Sequence, residues 1–382
     1  MNIRKKILFF VFFAVLITSL VPQNIYLIVL FSILCWFMLP LKRWWDAGAI
    51  ALLLFSLFYA IMVLLGHNVT SGFLLVTYAI APVAFYRFGQ FLMQEFRDAN
   101  QRFKILLYIL TAYLINLIIL TIIDISVVGV VNMDRTLSVM GESESMSATL
   151  YGLMLTFGLG GISAIFAKEQ KLWMRIVYLL LAVCSIMVVV HLINRGGLVV
   201  IAVCLTLSLL ITLRKRPVTS ILVMSFILLV AIVIMSSDFI NDEIISVYKQ
   251  RNEVKGYDAS SAGGRTDLWM MSIKKLFHNP FGWTQKKYAH NLWLDVARIG
   301  GWISLIPLFY LTIRILNKTL KLLLNAKSSF YVFIVVLNVG LLLGSFIEPV
   351  IEGSILFFNM MMMVWGIIHA VYNENYSIRL SR

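Results

Sequence analysis

The stretch AGAIALLLFSLFYAIMVLLG, residues 47–66, runs for twenty positions without a charged side chain. As a helix rising 1.5 Å per residue it covers about 30 Å, the thickness of a bilayer's hydrocarbon core. Similar runs, some broken by one polar residue, recur along the chain. Twelve spans fit, roughly 6–20, 24–39, 47–66, 70–86, 103–131, 147–167, 174–192, 196–213, 218–236, 291–313, 328–346 and 354–371. They predict an all-α polytopic membrane protein with about twelve transmembrane helices. A barrel would instead show alternating strands of about ten residues. Composition agrees, because 61% of the 382 residues are hydrophobic and 13% charged. A soluble domain has about 45–50% and about 25%. Scarce glycine and proline exclude collagen-like structure and disorder, and no internal repeat stands out.

The formal charge of +14 would point to nucleic acid in a soluble protein. In a membrane protein it first reports topology, since Lys and Arg collect on cytoplasmic loops. No nucleic-acid partner is expected. With the N-terminus inside, 21 of the 32 basic residues fall on inner segments, from Arg4, Lys5 and Lys6 to Arg379 and Arg382. Both termini are then cytoplasmic. The basic start imitates a signal peptide but lacks a small-residue cleavage site, so it reads as an uncleaved first helix. The chain divides into spans one to nine (1–236), one large outer loop (237–290), and spans ten to twelve with a cytoplasmic tail (291–382). Cys35, Cys184 and Cys204 all lie in spans, which argues against a structural disulfide or a zinc site. Without a P-loop, a dinucleotide fingerprint or HExxH, no cofactor and no metal are expected.

The remaining basic residues lie outside: Arg135, Arg195, Arg298, and a group in the large loop that includes Arg265, Lys274 and Lys275. Either a long outer loop tolerates its charge, or this face handles an anionic ligand such as a lipid-linked phosphate. Within the loop, GGRTDLWMMSIKKLFHNP (263–280) predicts an interfacial helix from about Arg265 to Phe277. Trp269, Ile273, Leu276 and Phe277 form its apolar stripe, with Asp267 and Lys274 pointing the other way.

Several side chains in this outer layer could carry chemistry. Arg265 opens the interfacial helix, where free backbone N–H groups and a guanidinium would bind an anion; alternatively it snorkels to the interface. Arg195 in HLINRGGLVV (191–200) stands at an outer helix end beside Gly196 and Gly197. An arginine near membrane depth is paired or functional, unless it simply reaches the headgroups. His191 nearby reads as structural. His290 and Asn291 open span ten in YAHNLWLDVARIGGWISL (288–305), and histidine accepts a proton readily near neutral pH. The bland alternative is a solvated histidine at a boundary. His67, His278 and His369 have no comparable setting. Asp124, and Glu348 and Glu352 in EPVIEG (348–353), either partner the outer arginines, bind sugar hydroxyls or remain solvated.

Taken in order, INRGG, then GGRTDLWMMSIKKLFHNPFGW (263–283), then His290-Asn291, nine intervening residues and Gly301, resemble the O-antigen polymerase and O-antigen ligase superfamily. The likeness covers roughly residues 147–346. It implies a membrane glycosyltransferase of the GT-C-like kind, inverting and metal-independent, in the bacterial inner membrane with its active site facing the periplasm. The implied donor is a glycan on undecaprenyl pyrophosphate. Arg195 and Arg265 would grip the pyrophosphate and His290 would handle the acceptor hydroxyl. Asn291, Lys274, Arg298, Asp124, Glu348 and Glu352 are further substrate-binding candidates. A chain-length regulator protein and membrane lipids are the implied partners. HNLWLDVARIGG followed by SFIEPVIEG looks more like polymerases, which transfer the chain to another lipid-linked repeat unit. Ligases transfer it to lipid A–core, and their pattern often has glycine where this chain has Ser304. A lipid-linked oligosaccharide flippase is a reading from another class, although transporters often show internal repeats and charges at the midplane.

Overall fold

The computed structural model describes residues 25–38, 45–66, 71–130, 132, 134, 136–138, 145–167, 170–215, 264–284, 287–324 and 328–380, with a few single positions between 217 and 249. The predicted spans 6–20 and 218–236, and the outer loop as far as residue 263, lie outside the described residues apart from those single positions.

In chain order the helices are α1 (Ile25–Met38), α2 (Ala47–Leu65), α3 (Gly72–Glu95), α4 (Ala99–Val128) and α5 (Ala148–Gly160). They continue with α6 (Leu172–His191), α7 (Arg195–Lys215), α8 (Arg265–His278), α9 (Leu292–Leu324), α10 (Ser329–Ile347) and α11 (Ile355–Leu380). A 3₁₀ segment, Gly161–Phe166, prolongs α5. Among the described residues eight helices are long and apolar enough to cross a membrane, and Ile25–Phe37 and Tyr151–Phe166 are shorter apolar ones. This is a multi-pass helical membrane protein. The one departure from all-α among the described residues lies in the connection after α4. There Thr136–Ser138 (β1) pairs antiparallel with Ser145–Ser147 (β2), and Leu137 opposite Met146 is fully buried.

Three helices clearly outrun the spans the sequence predicts. α3 continues beyond residue 86 to Glu95, α9 beyond 313 to Leu324, and α11 beyond 371 to Leu380. Arg87, Arg314, Lys318 and Lys321, expected in inner connections, therefore sit on helices. Hydropathy marks where the apolar run stops, whereas the backbone ladder continues as long as the charged side chains find partners or water.

Apolar contact alone gives helices no advantage over lipid, so they associate through close packing and interhelical hydrogen bonds. Both devices are visible. α3 and α11 cross at Gly89 and Gly366, where a Cβ on either would collide with the carbonyl oxygen of Met363 or Tyr86 across the interface. Deeper in, the Trp365 indole donates to Asn338 Oδ1 at 2.9 Å, and Asn338 Nδ2 donates to Thr319 Oγ1 at 3.0 Å. That chain ties α9, α10 and α11. The methionines 360–363 fill the surrounding core. Asn338→Leu is expected to cost about 1–2 kcal/mol. Gly366→Val should lower the unfolding midpoint in detergent further, because two backbones would have to separate.

Candidate active site

α8 is the platform. Its N-cap, Gly264, adopts a left-handed conformation (φ 81°) that glycine supplies without strain. Arg265 thus begins the helix immediately after a reversal of the chain. Ser272 and Leu276 face inward, and the Trp269 indole donates to Ala289 O at 2.8 Å. Ile273 and Phe277 are exposed, so the predicted apolar stripe is split. Its Trp269–Leu276 edge holds the bundle, and its other edge faces away from it. Phe277 still meets the Trp302 ring edge-on at 5.6 Å.

α9 begins at the end of the loop. Asn291 Oδ1 accepts from the backbone N–H of Trp293 and Leu294, both at 3.2 Å, and so caps the helix. Asp295, 3% exposed, folds back to accept from Ala289 N (2.7 Å) and Asn291 N (3.2 Å). These bonds pin the backbone on both sides of His290, which is held at φ 54°. A non-glycine residue in that region stores strain and persists only where its surroundings fix it.

The turn after α10 completes the site. Glu348, 5% exposed, lies between two groups from the loop. Its Oε1 is 3.3 Å from Arg265 Nη2, and its Oε2 is 3.4 Å from His290 Nδ1. One buried carboxylate therefore joins the arginine and the histidine. Gly196, next to Arg195 at the start of α7, faces the same turn, where an added Cβ would press on Ile347 Cδ1 at 2.7 Å. The N-terminus of α7 thus abuts the residue preceding Glu348. Residues from α7, α8, α9 and the turn after α10 meet at one end of the bundle.

Residues 180–310 match the O-antigen ligase family. The matched third of the chain contains Arg195, Arg265, His290, Asp295 and Arg298. It supports the O-antigen polymerase and ligase superfamily, whose members are membrane glycosyltransferase-like enzymes. No curated protein matches the chain. Glu348 and Glu352 lie beyond the O-antigen ligase match, and the fold pairs them with Arg265 and Arg298, two of the outer arginines they were expected to partner.

Other candidates divide clearly. Arg298 donates to Glu352 Oε1, stands 3.8 Å from Asp295 Oδ1 and lies 5.4 Å from the Tyr288 ring centroid. Asn291 is buried as a cap, with its carbonyl committed to the helix. Among the described residues Asp124 pairs with no arginine: its Oδ2 accepts from Asn132 Nδ2 at 2.6 Å and from His191 Nε2 at 2.8 Å. That pair holds the turn after α4 against α6, the structural role expected of His191. Lys274 is exposed on the outer side of α8, in an open groove with Asp267, Met270 and His278, away from Glu348. Arg135 lies outside the described residues. Among those described, no three His, Cys, Asp or Glu side chains group as metal ligands.

Burial pushes the Glu352 carboxyl up to about 8, with Asp295 adding to the effect and Arg298 opposing it. Its Oε2 is buried without a partner, while Oε1 accepts from Arg298. In the unfolded chain the group ionises near its ordinary 4.5. Its contribution is full below that value and is lost as pH rises towards 8. Wild-type thermal stability should decline across this window, and Glu352→Gln should flatten the decline.

Proposed function

We propose that this protein is a polysaccharide polymerase. It transfers a glycan from undecaprenyl pyrophosphate to a hydroxyl of another lipid-linked repeat unit, at the periplasmic face of the bacterial inner membrane. The observation that carries the reading is Glu348 bridging Arg265 and His290. It comes from SFIEPVIEG, the stretch that looks like polymerases, and it unites the phosphate-gripping and proton-accepting candidates.

The chemistry needs little beyond these side chains. The acceptor oxygen attacks the anomeric carbon from the face opposite the pyrophosphate. The new C–O bond forms as the glycosyl–phosphate bond breaks, which inverts the configuration. Charge grows on the departing pyrophosphate, so fixed arginines stabilise the transition state more than the ground state. Arg265 supplies such charge at the start of α8, and Arg195 supplies it from α7. With Nδ1 turned to Glu348, His290 offers Nε2 to the acceptor proton, and Glu348 stabilises the imidazolium that results, as in carboxylate–histidine pairs generally.

The second reading, transfer to lipid A–core, takes up the description of the matching family as O-antigen ligase. Incubating the purified protein with the lipid-linked repeat unit alone separates the two: a polymerase yields a ladder of products and a ligase none. In a deletion strain, single repeats on lipid A support the polymerase, and full-length chains stranded on the lipid carrier support the ligase.

A further inference from the structure

A second polar cluster lies at the opposite end of the bundle. Lys318 is twenty residues beyond Arg298 on α9, about 30 Å of helix away. Arg314, Lys318 and Lys321 recur at spacings of four and three and share one face of α9. Facing them are Asp46, which caps α2, Tyr86 and Arg87 on α3, and His369 and Tyr372 on α11.

Asp46 cannot balance this charge. Its Oδ1 accepts from Gly48 N (2.8 Å) and Ala49 N (3.1 Å), and its Oδ2 accepts from Gln90 Nε2 (2.9 Å). It also stands 3.6 Å from Arg87 Nη1 and 3.5 Å from His369 Nδ1. Glu374, also on α11, pairs with Arg102 at 2.6 Å. Lys318 is 8% exposed, and its ammonium lies 5.2 Å from the Tyr372 ring centroid. Among the described residues it has no hydrogen-bond or carboxylate partner. Arg314 donates through Nη1 to Tyr310 at 3.1 Å, but its Nε is buried without a partner. The adjoining stretches 39–44, 325–327 and 375–382 contain no Asp or Glu. Arg87, Arg314 and Lys318 thus lie around one carboxylate that already has its donors, and Lys321 is exposed beside the Tyr372 ring.

A buried, unpaired ammonium is costly. We propose that this end of the bundle binds a phosphate-bearing anion, with Lys318 and Arg314 as its direct ligands and Lys321 at the rim. Arginine gives a phosphate two parallel donors and lysine adds a point charge. The ligand is either the headgroup of an anionic phospholipid or free phosphate. Anionic lipids enrich the cytoplasmic leaflet, the side to which the basic residues assign this end. The site is independent of glycosyl transfer and shares no residue with the Arg265–His290–Glu348 group.

The test uses full-length protein in detergent, read by native mass spectrometry and thermal unfolding, with phosphatidylglycerol, phosphatidylcholine or inorganic phosphate added separately. Phosphatidylglycerol should be retained and should raise the midpoint, and phosphatidylcholine should do neither. Lys318→Met and Arg314→Gln should each weaken that binding by about tenfold, the loss of one charge-assisted contact. Lys318→Met should not lower the midpoint of the lipid-free protein, because it removes an uncompensated charge. The same Lys318-dependent shift from inorganic phosphate would identify free phosphate as the source. Equal retention of the two lipids, or variants that bind phosphatidylglycerol like wild type, would overturn the proposal.

Discussion

Arg265→Gln is expected to slow glycosyl transfer by about 10²–10³-fold, the usual cost of one preorganised donor to a developing anion. Membrane insertion and folded yield should hold, because Arg265 is partly exposed and α8 is fastened by Trp269 and Leu276. Arg265→Lys should recover only a minor part, since it keeps a point charge and loses the planar pair of donors. Glu348 complicates the arithmetic usefully. Without Arg265 it remains nearly buried beside His290 alone, so Arg265→Gln combined with Glu348→Gln should cost less than the product of the single effects. Arg195→Ala should be comparably damaging and likewise sub-multiplicative with Arg265→Gln if both hold one pyrophosphate. Initial rates with a lipid-linked donor decide this, and strict multiplicativity of Arg195 and Arg265 would assign them to separate sites.

His290→Ala is expected to lower turnover by about 10²–10⁴-fold, the range for a positioned base, while donor binding stays close to native. The comparison that matters is with His290→Gln. Glutamine can hydrogen-bond an acceptor hydroxyl but cannot take up its proton, so it should be nearly as slow as alanine. Glu348→Gln should retain part of the rate, since it keeps a hydrogen-bonding group beside His290 but no longer stabilises the imidazolium. A His290→Gln enzyme at half the native rate would remove His290 as the base. Asp295 and Asp124 would not replace it, because both are engaged in fixing backbone or His191.

The helices were legible because twenty uncharged residues leave a chain few options in a bilayer. The interfacial helix was legible too, with Gly264 before it and Pro280 after it. Two kinds of information were missing. Helix ends beyond the apolar run depend on whether charged side chains find partners, which Arg87 did through Gln90 and Asp46. Glu348 was legible as a candidate partner of the outer arginines, but nothing in EPVIEG says that it joins Arg265 to His290 in particular. Only the packing of α10 against α5 and α7 brings that turn beneath α8. The same limit hid His369, which lacks notable neighbours in sequence yet meets the Tyr86 hydroxyl at 2.6 Å.

The break in α9 has its own consequence. Gly301 sits at φ 55°, and there the helix ladder opens towards the loop. Trp302 N donates to Pro280 O at 2.9 Å, and Trp283 N donates to Arg298 O at 2.8 Å. A Cβ at Gly301 would strike Pro280 O, and one at Gly282 would strike Ile299 O. The seam between the loop and the span is therefore stitched in main-chain atoms: every amino acid, Pro280 included, supplies the carbonyl, and all but proline supply the N–H. The residues around it are free to diversify, as an enzyme facing different sugars would require. Gly282 and Gly301 alone along this seam leave no such freedom, for any side chain there unpicks it.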